Sequence, residues 1–129
     1  MQREKLETYI VETYHADADY PWAKYPDYEV FRHGSNHKWF ALIMDVPKVR
    51  LGLSEAGMLS VVNVKCGPVM AAELWSEPGF FPAYHMRKDS WITIALDGSA
   101  AEEKIKMLLD MSFDLTNGKS RKRRVSPGE

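Results

Sequence analysis

The 129-residue chain has the length of one domain, and 45% hydrophobic against 27% charged residues is the composition of a folded globule, not a disordered chain. Its single cysteine, Cys66, excludes an internal disulfide scaffold and a four-cysteine zinc site, and the lack of any long uncharged apolar run or N-terminal apolar core leads us to expect a cytoplasmic protein without membrane association. The net charge of −1 is unevenly spread: from Lys119 onward there are five Lys or Arg and one Glu, which leaves 12 basic and 17 acidic groups, a charge of −5, on the rest.

Apolar residues Leu6, Tyr9, Ile10, Thr13 and Tyr14 recur at helical spacing, which predicts an amphipathic helix over residues 3 to 15. Two X-Pro pairs, Tyr20-Pro21 and Tyr25-Pro26, disfavour its continuation and make residues 17 to 27 an extended loop with aromatic anchors. A hairpin follows: a strand from Tyr28 to His33, a turn at Gly34-Ser35-Asn36, and a strand from Lys38 to Val46 that Pro47 ends. Residues 48 to 58 read as a connection with a short strand near Leu51, and Leu59 to Lys65 as another strand. Gly67-Pro68 opens a short helix, proline in the first turn, with Met70, Ala71, Leu74 and Trp75 facing inward.

Pro78-Gly79 stops that helix, and Phe80 to Tyr84 is an apolar, turn-broken segment. The next strand, from Asp89 or Ser90 to Leu96, turns Ile92, Ile94 and Leu96 to one face and Trp91, Thr93 and Ala95 to the other. Ser99-Ala100-Ala101-Glu102 has the capping-box pattern, starting a helix whose buried stripe is Ile105, Leu108, Leu109, Ser112 and Leu115, with Asn117-Gly118 as its stop. The order α-β-β-(β)-β-α-β-α predicts an α+β fold: a two-layer domain, residues 1–118, with an antiparallel sheet packed against the N- and C-terminal helices. Residues 119–129 lack apolar content and are expected to be a disordered basic tail.

Phosphate-binding glycine loops, HExxH and GxSxG are absent. His15, His33, His37 and His85 are too dispersed for a metal site, so no metal or cofactor is expected. Cys66 with His85 is the one candidate nucleophile–base pair; a cysteine after a valine-rich strand is more often a small buried filler, and the chain is read as non-enzymatic. Two segments combine cations with flat rings: Phe31-Arg32-His33 with His37-Lys38-Trp39 across the hairpin tip, and Tyr84-His85-Met86-Arg87-Lys88 before Trp91. That pairing grips phosphate while stacking on a base; against it, tryptophans in strands usually belong to the core and turn cations solvate turns. The tail Lys119-Ser120-Arg121-Lys122-Arg123-Arg124 would add affinity for phosphates without sequence choice, or serve only as a solubilising end.

The blocks Tyr20-Pro21-Trp22, Tyr25-Pro26-Asp27-Tyr28, Val30-Phe31-Arg32-His33, Lys38-Trp39-Phe40-Ala41-Leu42-Ile43-Met44-Asp45-Val46, Val62-Asn63-Val64-Lys65-Cys66 and Pro78-Gly79-Phe80-Phe81-Pro82-Ala83-Tyr84-His85-Met86, followed by Trp91-Ile92-Thr93, resemble the MmcQ/YjbR family of small bacterial proteins over roughly residues 2 to 117. The resemblance implies a CyaY-like or secretion-chaperone-like α+β domain with a double-wing arrangement and DNA as partner. Carried to matching positions, it gives a nucleic-acid surface of Arg32, His33, Lys38, Lys65, His85, Lys88 and Trp91; Arg87 belongs to the same tip but stands where the family often has Asn. The alternative is a protein-interaction module, chaperone-like or self-associating, docking through the aromatic loops at Tyr20 to Tyr28 and Phe80 to Tyr84. A monomer is favoured.

Overall fold

The computed structural model describes residues 1–117; the basic tail lies outside them. Three helices, α1 (Arg3–Tyr14), α2 (Pro68–Leu74) and α3 (Glu102–Thr116), accompany six strands: β1 (Asp17–Asp19), β2 (Glu29–Arg32), β3 (Trp39–Pro47), β4 (Met58–Lys65), β5 (Phe80–Pro82) and β6 (Trp91–Ala95). The strands form one antiparallel sheet in the order β1-β2-β3-β4-β6-β5, so the fold is α+β, as the element order implied.

Strand alternation divides the core in two. On the helix face, Phe31, Ala41, Ile43, Val62, Val64, Ile92 and Ile94 pack with Leu6 and Ile10 of α1 and Ile105, Leu108 and Leu109 of α3. On the other face Val30, Leu42, Met44, Val46, Val61 and Ala95 form a second apolar layer, covered by Trp22, Leu51, Leu53, Tyr84 and Met86 from loops. The pinned aromatic loop of residues 20 to 28 is therefore the roof of that layer.

Several elements differ from the sequence reading. The loop after α1 contains β1, an edge strand held by backbone pairing to β2; its side chains are all exposed, so it carries no apolar alternation to read. Phe80 to Pro82 likewise joins β6 as the other edge. Lys48–Leu51 is a 3-10 turn closed by Gly52 at φ 82°, not a strand. Trp75 is the C-cap of α2 and 41% exposed, and Leu115 is exposed while Thr116 is buried. The α3 N-cap is Ala101, without a side-chain cap; Ser99 instead donates to Asp97 Oδ1 at 2.5 Å within the preceding turn.

Candidate functional site

Arg32 ends β2 and pairs with Trp39 at the start of β3, while Lys65 ends β4 and pairs with Trp91 at the start of β6. Antiparallel register thus brings both tips to one rim of the sheet. Val64 and Ile92 face the helices, so their neighbours Lys65 and Trp91 face the loop-covered side. Trp39 packs on that side, and the Arg32 guanidinium lies 5.7 Å from the centre of its ring.

His33 does not join them. It is 2% exposed, its Nε2 lies 2.6 Å from Thr116 Oγ1, and its ring stacks obliquely on Phe113 at 4.2 Å. Adjacent strand residues point to opposite faces, so with Arg32 outward His33 must turn toward α3. Burial and the nearby Lys38 charge lower its pKa. Its role is to fix the hairpin tip, aided by Asn36, which donates to the carbonyls of Thr116 and Asn117 at 3.0 and 3.2 Å.

The second tip is fastened by buried polar side chains. Asn63 and Thr93, both 0% exposed, pair across β4 and β6. Thr93 Oγ1 donates to Asn63 Oδ1 at 2.5 Å and accepts from Tyr84 N at 2.9 Å; Asn63 Nδ2 donates to Tyr84 O at 2.9 Å. This closed ring satisfies every member and pins the backbone of Tyr84 to the sheet. From there the loop carries His85, Arg87 and Lys88 into solvent. His85 has φ 64°, a left-handed conformation that is uncommon outside glycine and concentrates at functional sites.

The cations are not equivalent. Arg32 Nε is 3.2 Å from Asp19, and Arg87 makes a 2.9 Å ion pair with Asp89. Arg87 accordingly holds the Asp89 carboxyl below its usual range. Lys88 Nζ donates to the carbonyl of Ala83 at 3.2 Å. Among the described residues Lys38, Lys65 and Lys88 have no carboxylate within ion-pair distance. The positive part of the rim is therefore its lysines.

Beside this rim the two loops enclose a cleft of about 270 Å³ lined by Trp22, Tyr25, Tyr28, Trp39, Leu42, His85 and Met86. Trp22 stands edge-on to both Trp39 and Tyr28, at 87° and 82°, and Tyr25 stacks on Tyr28 at 4.7 Å. Burial pushes the Tyr28 hydroxyl up to about 12, so it remains a donor at any ordinary pH. A shallower depression of about 680 Å³, lined by Tyr84, His85, Met86, Arg87, Lys88 and Trp91, shares His85 and Met86 with the cleft. The sequence reading located the two tips but not this cleft: it took Trp22, Tyr25 and Tyr28 as loop anchors or as part of a docking loop, and their meeting with Trp39 and His85 needs the tertiary fold.

Cys66 and His85 do not meet. Cys66 is 2% exposed in the helix-face core, where burial raises its thiol pKa, whereas His85 lines the cleft on the opposite face. Among the described residues no three His, Cys, Asp or Glu side chains are grouped to hold a metal ion, and no helix is long and apolar enough to cross a membrane.

The architecture is that of a small α+β domain with one sheet face under helices and the other under aromatic loops. A YjbR family model matches residues 11–115, and the chain belongs to that family. It is 40% identical over 116 residues to the protein YyaQ of Bacillus subtilis (strain 168), covering 90% of this chain and 98% of that one. A crystal structure of a Pseudomonas syringae protein superposes with a TM-score of 0.87 at 40% identity over 90% of this chain and 99% of that chain. The Deinococcus radiodurans protein DR2400 shares the fold, with a TM-score of 0.69 at 23% identity over 92% of this chain and 80% of that chain.

Proposed function

We propose that this domain is a non-enzymatic nucleic-acid-binding module, with the β2–β3 hairpin tip and the loop of residues 83 to 90 as its two wings and DNA as its partner. One observation carries the reading: strand register sets Arg32, Trp39, Lys65 and Trp91 along one rim and one face, cations interleaved with indole rings. Lysines free of carboxylates attract phosphates and release their counterions, while flat rings stack on bases. The inward-turned, high-pKa Cys66 supports the non-enzymatic part of the reading.

The test is DNA retention as a function of salt with the Lys38→Ala, Lys65→Ala, Lys88→Ala triple variant. Removing three phosphate contacts is expected to flatten the slope of log K against log salt by about 2 to 3, at roughly 0.7–0.9 per contact. Equal slopes for the triple variant and the parent chain would remove the rim as the contact surface. Arg32→Ala and Arg87→Ala are expected to change the slope less, since each cation already faces an aspartate.

A further inference from the structure

Resting on that reading, we infer that the aromatic cleft receives one unpaired base, so that the ligand is single-stranded nucleic acid or a strand with an extruded base, not a regular duplex. At about 270 Å³ the cleft falls just below the ~300–1,000 Å³ span of ordinary small-molecule sites, a size for one flat ring system and not for a helix or a peptide segment. Its walls are orthogonal rings: the face of one indole meets the edge of another at 87°. The two rings are in contact, with centroids 5.4 Å apart, and a flat ring seated in the corner they form stacks on one wall and abuts the next, the two favoured aromatic geometries.

The polar fittings agree. Among the described residues the Tyr25 and Tyr28 hydroxyls and the Trp22 and Trp39 indole N–H groups make no hydrogen bond, and all four residues line the cleft. They are left to read the edge of a heterocycle. Among the described residues no carboxylate lines the cleft, so an ammonium ligand would be held there by ring quadrupoles alone, the case that the tetramethylammonium arm of the test separates from base insertion. The charges nearby include Arg87 and Lys88, in the depression sharing His85 and Met86, Arg32 over the Trp39 ring, and Asp27 and Arg50, which act on the Tyr28 hydroxyl. A neutral ring on an anionic tether matches that arrangement: base in the cleft, phosphates along the lysines.

The experiment compares three probes on the full chain: a short oligothymidylate, a duplex of equal length, and an abasic oligomer with the same phosphates. Binding is followed by quenching of tryptophan fluorescence at constant salt. The oligothymidylate is expected to bind at least ~10-fold more tightly than the duplex or the abasic oligomer and to quench more strongly. Tyr25→Ala, at a residue 41% exposed and thus tolerant of change, is expected to lower oligothymidylate affinity about 5- to 150-fold, the range of one base–aromatic stack. Its duplex affinity stays that of the parent chain, which also reports an intact fold. Equal binding of all three probes overturns base insertion and leaves the phosphate-binding rim standing. Binding of none at low salt overturns both, as does strong quenching by a tetramethylammonium salt with no response to any oligomer.

Discussion

His85 and His37 hold φ of 64° and 63°, a conformation that costs an L-residue about 1–2 kcal/mol. Glycine relieves that strain but gains freedom in the unfolded chain, by about 0.4–1 kcal/mol. Both His85→Gly and His37→Gly are therefore expected to leave the unfolding free energy unchanged or to raise it by up to about 1.6 kcal/mol. They diverge in binding. His85 forms part of the cleft wall, so only its replacement weakens oligothymidylate binding, whereas His37 sits in the hairpin turn. Denaturant midpoints and fluorescence titrations on the two variants separate strain kept for a ligand from strain incidental to a tight turn. Glu29 offers a different residue-scale test. It is 7% exposed, with Oε1 lacking a hydrogen-bond partner and the Arg3 guanidinium 3.9 Å away. Burial, together with nearby Glu7, pushes its pKa up to about 7. A carboxyl raised above its unfolded value contributes fully below about pH 4.5 and loses that contribution as pH rises through about 7. Glu29→Gln is expected to gain about 1–3 kcal/mol on the parent chain between pH 4.5 and pH 8, measured by urea unfolding at each pH. His33, with its lowered pKa, makes stability fall as pH drops below about 6.5, but it is present in both proteins and cancels from the comparison.

At the scale of elements, the loop of residues 83 to 90 is held by the Asn63–Thr93–Tyr84 ring as well as by Tyr84 and Met86 packing on the second apolar layer. Thr93→Val keeps the shape but removes both the hydroxyl that Tyr84 N–H donates to and the donor to Asn63. Leaving those buried groups unpaired costs about 1–3 kcal/mol. Amide exchange at Tyr84 is expected to accelerate more than exchange in the β3–β4 ladder; equal acceleration at both would mean the ring serves the sheet as a whole. This ring also marks where the sequence stopped being legible. Ile92 and Ile94 against Trp91, Thr93 and Ala95 gave the two faces of β6 by alternation alone, and the stripe of α3 through Ser112 held, since both periods are local. That Asn63 would meet Thr93 needed the pairing of β4 with β6, which no local pattern contains. The edge strand β1 was missed for a related reason, whereas β5 does alternate, Phe80 toward the helices and Phe81 toward the loops, in a segment that Pro78 and Pro82 made read as turn-broken. Exposed edges need no alternating apolar face, and Asp17-Ala18-Asp19 is joined to β2 by main-chain hydrogen bonds that any side chain permits.

For the whole molecule, the decisive quantity is where a small excess of positive charge sits on an acidic body. The basic-aromatic tips were readable as local composition. Their arrival at one rim follows from antiparallel order, and the turning of His33 into the core follows from its being next to Arg32. Which cations would be neutralised was not readable, because Asp19 reaches Arg32 only through the unforeseen β1. On the proposed reading two charge sources serve nucleic acid, the rim lysines and the tail, and they would act differently. Tail cations would act through phosphates alone, while the cleft would discriminate between bases and none. Replacing Arg121, Lys122, Arg123 and Arg124 by Gln in the full chain takes the net charge from −1 to −5. Duplex and oligothymidylate affinities are expected to fall together at low salt, with the duplex slope flattened by up to about 3 to 4. Their ratio stays that of the parent chain, since the tail does not enter the comparison between stacked and unstacked bases. If the ratio collapses toward one while the slope is unchanged, discrimination resides in the tail and the rim is only a scaffold for it; paired titrations at two salt concentrations distinguish the two outcomes.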